Sequence, residues 1–126
     1  TGTSKGIGKE LLKGILDSGH EVISISRTKT DFKPSDRWIE IQGDLTSDKT
    51  YKRVRNLLLK WDKLDVLVNN AGYLVSKPFD KLGDKDFSNS FTINVLAPAR
   101  LIQISMPYLK KSNQGKVINI SSIGGV

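Results

Sequence analysis

The chain opens on a cluster of glycines that precedes an amphipathic segment. Gly2, Gly6 and Gly8 stand in the sequence TGTSKGIG. The next residues repeat apolar side chains at four-residue spacing, which predicts a helix over 7–18 that Gly19 ends. A glycine-rich turn at a helix N-terminus lets phosphate oxygens approach free backbone N–H groups. The pattern therefore predicts a site for the pyrophosphate of a dinucleotide, and an ordinary loop is the alternative.

Composition excludes several other kinds of site. There is no cysteine, and His20 is the single histidine, which argues against thiolate or histidine metal sites and against a Ser-His-Asp triad. We expect His20 to be a surface turn residue. The formal net charge is +7, but the lysines are scattered along predicted helices, which favours solvated faces over a nucleic-acid surface. No apolar run approaches the ~20 residues that span a bilayer.

Helical and strand-like segments alternate along the chain. Strands are predicted at 21–26, 38–42, 64–68 and 116–120, and helices at 7–18, from Ser47 or Asp48 to Trp61, and at 84–111. The nearly continuous apolar run at 64–68 is typical of a parallel strand covered on both faces. These alternations predict a single α/β domain over 1–126, a doubly wound, Rossmann-like parallel sheet.

Further motifs follow the glycines in an order that resembles the short-chain dehydrogenase/reductase family. They are Asp44-Leu45-Thr46 after the second predicted strand, Asn69-Asn70-Ala71-Gly72 after the third, Asn94 in the long helix, and Ile120-Ser121-Ser122-Ile123-Gly124-Gly125 after the last. The broadest likeness is to 3-oxoacyl-(acyl carrier protein) reductases. Each motif alone has a structural alternative, such as a turn cap for Asp44 or a neutral loop for the serines; their joint spacing supports the resemblance.

The resemblance implies roles for these residues. Asp44 would contact the adenine ring, the Asn-Asn-Ala-Gly segment would support the sheet and line the ribose, and Ser122 and Asn94 would be catalytic. The cofactor-binding residues expected on this basis are Gly2, Thr3, Ser4, Lys5, Gly6, Ile7, Gly8, Arg27, Thr28, Asp44, Leu45, Asn70, Ala71 and Gly72.

The residues after the first predicted strand bear on the choice between NADP(H) and NAD(H). Relatives that prefer NAD carry an acid where this chain has Ser26. Arg27 can pair with the 2′-phosphate in two hydrogen bonds, and Lys5 is the second basic position expected of NADP-dependent relatives. We therefore expect NADP(H), unless Arg27 and Lys5 point into solvent.

Pro98 lies four residues after Asn94. Because proline has no N–H, the Asn94 carbonyl loses its helical partner. In the family that carbonyl holds a water linked to a catalytic lysine, so Pro98 could assist; a plain kink or a helix start is the alternative.

The resemblance also implies parts that these 126 residues do not supply. A strand should lead into Thr1, and a Tyr-x-x-x-Lys pair should follow Ser122. Tyr108 cannot substitute for that tyrosine, because Ser112 stands four residues later. We therefore expect an incomplete segment of a longer chain, inactive alone, whose sheet lacks its first strand and everything after the fifth.

The whole protein would be a cytoplasmic reductase of a small carbonyl or alcohol substrate and a dimer or tetramer of identical subunits. It would bind neither nucleic acid nor membrane. Apolar residues of the long helix are expected to face the core (Phe87, Phe91, Val95, Ile102 and Met106), and the residues after Gly72 either line the substrate pocket or pack as a loop (Tyr73, Leu74 and Val75). Two other classes stay open: a non-catalytic dinucleotide sensor of the same fold and a basic nucleic-acid-binding domain.

Overall fold

The structure, a computed structural model, describes residues 1–122. Helices and strands alternate along them, within one or two residues of the predicted bounds, and the long helix at 84–109 contains a π turn. The strands are β1 (Val22–Ser26), β2 (Trp38–Gln42), β3 (Val66–Asn69) and β4 (Lys116–Asn119). The α-helices are α1 (Gly6–Asp17), α2 (Asp48–Trp61), α3 (Asp84–Phe91) and α4 (Ala97–Leu109), with a 3₁₀ turn at Phe79–Lys81.

The strands form two parallel pairs joined by the first residues of the chain. β1 pairs with β2, and β3 pairs with β4. The backbone N–H of Gly2 donates to Ile25 of β1 at 2.8 Å, and the Thr1 nitrogen donates to Val68 of β3 at 2.9 Å. Thr1 and Gly2 therefore lie between the two pairs. The parallel α/β prediction is confirmed, and among the described residues only these two occupy the central position.

A core forms between the strands and helices α2 and α4. Ile25 and Ile41 contribute from the strands, Tyr51 and Leu58 from α2, and Leu101 from α4. Tyr51 and Leu58 are almost fully buried and lie on one face of α2. The Tyr51 hydroxyl donates to a backbone carbonyl, which satisfies its one polar atom inside the core.

The strand at 64–68 was expected to be covered on both faces, and this is wrong for the described residues. Val66 is 43% exposed, and Val117 and Ile118 in the neighbouring β4 are 37% and 44% exposed. Coverage of both faces needs a layer of helices on each side. Within residues 1–122, α4 is the helix that packs on β3 and β4.

The helical stretch predicted over 84–111 is confirmed, since residues 84–109 are helical without a break, but it is not a regular α-helix throughout. Residues Thr92–Leu96 form a π-helical turn between α3 and α4, and the Ala97 N–H donates to the Thr92 carbonyl five residues earlier. Pro98 stands in the first turn of α4. Because Pro98 has no N–H, the Asn94 carbonyl lacks its ordinary helical donor, and the π turn lies at this position.

The π turn changes which residues of this region face the core. The predicted set fails: Phe87, Phe91, Val95 and Met106 are 51%, 55%, 49% and 38% exposed, and Ile102 is half-buried. The inserted turn shifts the register of α4 relative to α3. The buried positions are instead spaced four apart along α4, at Ala97, Leu101, Ser105 and Leu109.

Candidate functional site

The glycine loop, residues 1–8, turns into α1 through two left-handed residues. Gly2 has φ +71° and Gly6 has φ +57°, conformations that cost little for glycine and strain other residues. Lys5 precedes the helix in an extended conformation, and its side chain makes no capping hydrogen bond. A Cβ on Gly6 would meet nothing within 4 Å. The first amides of α1 therefore border open space, as an anion-binding helix terminus requires.

Asn70 holds this loop in place from the end of β3. Its side-chain amide donates to the carbonyl of Thr1 at 3.0 Å and to that of Gly2 at 3.3 Å. The Thr1 hydroxyl accepts the backbone N–H groups of Asn70 at 3.0 Å and Ala71 at 2.9 Å. The Asn-Asn-Ala-Gly segment thus supports the glycine loop directly, as well as ending a strand.

Gly8 has no space for a side chain. A Cβ there would lie 2.2 Å from the Gly2 carbonyl oxygen and 2.4 Å from the Asn70 amide nitrogen. The absence of a side chain at Gly8 therefore lets the start of α1 pack closely against the loop carbonyl and Asn70.

Asp44 behaves as the turn cap that was the alternative to a ligand contact. One carboxylate oxygen accepts both the backbone N–H and the hydroxyl of Thr46, each at 2.8 Å. The side chain of Leu45 is 7% exposed and belongs to the core. A ligand at this position would therefore meet the Asp44 side chain or the backbone, since Leu45 points inward.

Arg27 and Thr28 follow β1 at the same end of the sheet and are exposed. Lys5 is exposed as well, and neither the Arg27 nor the Lys5 side chain makes a hydrogen bond or ion pair within residues 1–122. In the absence of a ligand, Arg27 and Lys5 are therefore solvent-exposed, which was the alternative to a phosphate contact. Two cations without partners in the described residues, one directly before α1 and one directly after β1, also suit an anionic ligand.

The remaining predicted residues of the loop differ in exposure. Thr3 is 7% exposed, and its hydroxyl has no partner within the described residues. Ser4 is half-buried, and Ile7 is 69% exposed. A buried hydroxyl without a partner is uncommon in proteins. The Thr3 hydroxyl is thus a donor within the glycine loop that no described residue satisfies.

Asn94 lies in the π turn and fastens the segment that follows β3. Its side-chain oxygen accepts the Tyr73 N–H at 2.9 Å, and its amide donates to the Tyr73 carbonyl at 2.9 Å and to the Ser90 hydroxyl at 3.2 Å. Gly72 lies close by, since a Cβ on it would be 3.7 Å from the Asn94 oxygen. The sequence marked Asn94 as functional but did not predict this contact, which joins positions 21 residues apart.

The last strand brings the serines to the same edge of the sheet. The Ile120 N–H donates to the Asn69 carbonyl at 2.8 Å. The Asn69 side-chain amide donates to the Asn119 side-chain oxygen at 2.8 Å. Ser122 follows directly and is exposed. The other predicted residues of this motif, Ile123, Gly124 and Gly125, lie outside the described residues.

A tyrosine and a lysine four residues apart do occur in the chain, at Tyr73 and Lys77. The spacing brings two side chains together on a helix, but this segment is not helical. Lys77 instead pairs with Asp86 at 2.9 Å, and this contact, with a second from the Gly83 N–H, holds the pKa of Asp86 below its ordinary value. The pair therefore does not reproduce the expected Tyr-x-x-x-Lys arrangement.

The structure also contains a groove that the sequence did not indicate. It lies between α2 and α4, has a volume of about 760 Å³, and is bordered by Arg55 and Arg100. None of its lining residues belongs to the predicted site. Among residues 1–122, no group of three or more histidine, aspartate or glutamate side chains could hold a metal ion, and no helix is long and apolar enough to cross a bilayer.

Comparison with known proteins assigns the family. The family model for short chain dehydrogenases matches residues 1–126. A 3-ketodihydrosphingosine reductase of Bacteroides thetaiotaomicron is 30% identical to this chain, over 100% of this chain and 46% of the relative. The chain thus spans about half the length of the curated relatives it matches.

Solved structures agree with this assignment. A short chain dehydrogenase of Leptospira borgpetersenii with bound NAD⁺ superposes with a TM-score of 0.88 at 29% identity, covering 98% of this chain and 50% of the other. ElxO with NADP bound gives a TM-score of 0.83 at 27% identity, covering 99% of this chain and 54% of the other. The predicted family resemblance is confirmed, and the chain belongs to the short-chain dehydrogenase/reductase family.

Proposed function

We propose that the protein containing this chain is an NADP(H)-dependent oxidoreductase that interconverts a carbonyl and an alcohol, working as a reductase. The observation that carries the proposal is the glycine loop at the start of α1, fastened by Asn70 and bordered by the free cations Lys5 and Arg27. Relatives named as reductases and dehydrogenases support an oxidoreductase. Solved relatives hold NAD⁺ in one case and NADP in another, so the preference for NADP(H) rests on this chain's own residues.

The residues present fit a nicotinamide dinucleotide. The amides of Gly6, Ile7 and Gly8 would receive the pyrophosphate, because they begin a helix whose end has no side-chain cap. Arg27 would form paired hydrogen bonds to the 2′-phosphate, and Lys5 would add a second charge. Asp44 keeps one carboxylate oxygen free of the Thr46 contacts, and that oxygen would accept from the adenine amine.

When bound, the cofactor supplies or accepts a hydride at its nicotinamide ring. The Ser122 hydroxyl would donate a hydrogen bond to the substrate oxygen and stabilise the negative charge that develops there. Asn94 would act through Tyr73, fixing the segment beside the nicotinamide, and its backbone carbonyl would hold a water that conducts protons. The proton donor would be a tyrosine outside these 126 residues.

The proposed substrate is a small carbonyl or alcohol compound. Tyr73 and Val75 are half-buried beside the site and would line its pocket, whereas Leu74 is 88% exposed. We also propose a homo-oligomer in the cytoplasm, formed through the exposed apolar residues of α3 and α4. Equilibrium sedimentation of the whole protein tests the oligomeric state.

The proposal is tested by measuring the dissociation constants of NADPH and NADH for the whole protein and for Arg27→Asp. Arg37→Asp is the matched control, since Arg37 is also exposed but lies before β2, at the opposite end of the parallel strands. A charged hydrogen-bonded contact contributes about 1.5–3 kcal/mol. Arg27→Asp should therefore reduce the ratio of NADPH to NADH affinity by roughly 10- to 100-fold.

An affinity ratio that is the same in wild type, Arg27→Asp and Arg37→Asp would remove the assignment of NADP(H). NADPH binding without carbonyl reduction by the whole protein would favour the non-catalytic sensor instead.

A further inference from the structure

The segment that carries Arg27 is fastened to α1 by residues that are not among the predicted site residues. The Lys9 ammonium pairs with the Asp31 carboxylate at 2.7 Å and lies 5.5 Å from the centre of the Phe32 ring. We define Lys9, Asp31 and Phe32 as the latch. It joins the second turn of α1 to the loop after β1, across 22 residues of sequence.

The latch is anchored to the sheet through Trp38. The Phe32 and Trp38 rings meet edge to face at 6.0 Å, and the indole N–H donates to the Ser24 hydroxyl at 2.8 Å. Ser24 is 1% exposed. Because the anchor is a buried residue of β1, the latch ties the loop to a rigid part of the fold.

The loop that the latch closes is fixed at both sides. Its Thr30 N–H donates to the Glu40 carboxylate at 2.7 Å, and the Thr30 hydroxyl donates to the Thr3 carbonyl in the glycine loop at 3.3 Å. The side chain of Gln42 donates to the Arg27 carbonyl at 3.2 Å. These bonds connect the segment that carries Arg27 with the glycine loop that carries Lys5.

We propose that the latch is a specificity-determining device: it holds the loop at 27–31 so that Arg27 and Lys5 face one ligand phosphate, and loosening it weakens binding of the 2′-phosphorylated cofactor selectively. Lys9 is thus a positioning residue that need not touch the ligand. The inference rests on the proposed preference for NADP(H). The depressed pKa of Asp31, due first to its hydrogen bond with Lys9, agrees with a formed ion pair.

The contact is moderate in strength, because the Lys9 side chain is 28% exposed and that of Asp31 is 75% exposed. Partly exposed ion pairs and cation–π contacts each contribute modestly. We expect Lys9→Met to weaken NADPH binding by about 3- to 10-fold and NADH binding by less than about 2-fold.

The test uses the whole protein and a matched set of variants. Lys13→Met is the control, since Lys13 is an exposed lysine of α1 that makes no ion pair within the described residues. Lys9→Arg should restore the wild-type ratio of affinities. Asp31→Asn should act in the same direction as Lys9→Met but more weakly, because the Lys9–Phe32 contact remains, and the double variant should be no weaker than Lys9→Met alone.

A second measurement does not involve the cofactor. Hydrogen exchange of the ligand-free protein should show faster exchange of the amides at 28–32 in Lys9→Met and Asp31→Asn, with the core of α2 unchanged. Asp31 is an exposed loop residue, so Asp31→Asn keeps the test available if Lys9→Met fails to fold.

The outcomes separate this inference from the proposed function. A wild-type protein that binds NADPH no better than NADH would refute the NADP(H) proposal, and the specificity role with it. A wild-type preference that Lys9→Met and Asp31→Asn leave unchanged would refute the latch alone. Equal weakening of NADPH and NADH would also refute it, since the role would then be general stability.

Discussion

Substitution of Gly8 tests whether the glycine loop and α1 are packed as tightly as the structure indicates. In Gly8→Ala the new Cβ would lie 2.2 Å from the Gly2 carbonyl oxygen and 2.4 Å from the Asn70 amide nitrogen. Neither neighbour can move freely. Gly2 has φ +71° and donates to Ile25 in β1, and the Asn70 amide already bonds two carbonyls.

The magnitude follows from opposing contributions. Alanine gains about 1 kcal/mol over glycine inside a helix. Forcing a methyl group into a packed site costs about 1–3 kcal/mol, and losing the two Asn70 hydrogen bonds adds about 0.5–1.5 kcal/mol for each. The net expectation is destabilisation by about 1–5 kcal/mol, together with loss of cofactor binding.

Gly14→Ala provides a matched control in the same helix. A Cβ on Gly14 would meet nothing within 4 Å, so the helical preference of alanine should act alone and stabilise the protein by about 1 kcal/mol. Urea unfolding of both variants measures these free energies, and NADPH titration measures binding. Equal stability of the two variants, with wild-type binding in Gly8→Ala, would refute the tight packing described for this loop.

Three further predictions concern contacts outside the glycine loop. Asn94→Ala removes three hydrogen bonds to Tyr73 and Ser90, so hydrogen exchange of the amides at 72–75 should accelerate. Because Asn94 is exposed, the free energy of unfolding measured in urea should change by less than about 1 kcal/mol. Unchanged exchange would contradict the assigned contacts. Trp38→Phe should cost about 1–3 kcal/mol by leaving the buried Ser24 hydroxyl without its partner, and adding Ser24→Ala should recover part of that loss in urea unfolding; no recovery would contradict the assigned pair. The interactions that lower the pKa of Asp86 stabilise the fold at pH values above the ordinary value of 3.8, and this contribution disappears as the pH falls through the lowered pKa. Carboxyl chemical-shift titration should give an Asp86 pKa below 3.8 in the wild type and a pKa closer to 3.8 in Lys77→Met. An ordinary Asp86 pKa in the wild type would contradict the ion pair.

Local patterns in the sequence predicted most of the elements. Val22–Ser26 and Trp38–Gln42 are short apolar runs bounded by turn residues, and the structure places strands there. The end of α1 at Gly19 is also correct, because a left-handed residue with φ +85° closes that helix. These features depend on residues close in sequence, so periodicity and turn chemistry suffice.

The errors arose where the structure depends on register or on distant residues. The π turn at Thr92–Leu96 breaks the period that was assumed from Phe87 to Met106, so the wrong face was assigned to the core. A single sequence contains no signal for the inserted residue except Pro98, which has more than one explanation.

The sequence predicted which segments lie together at the candidate site, but not the contacts between them. Each motif follows a predicted strand or lies in the long helix, and the carboxyl ends of parallel strands share one edge of the sheet. The sequence therefore predicted that the glycine loop, Asn70, Asn94 and Ser122 lie at that edge. The Asn70 contact with Thr1 spans 69 residues, a separation that neither spacing nor periodicity reveals. Asp44 was expected to contact the cofactor or to cap a turn, and in the structure its carboxylate caps the turn at Thr46.

Binding of NADPH to the first amides of α1 is most directly observed by backbone ¹H–¹⁵N correlation spectra of the labelled protein during titration. The amides of Gly6, Ile7 and Gly8 should shift first and furthest, followed by Ala71. Shifts centred instead on Arg55 and Arg100 in the groove between α2 and α4, with the glycine amides unmoved, would contradict the proposed site.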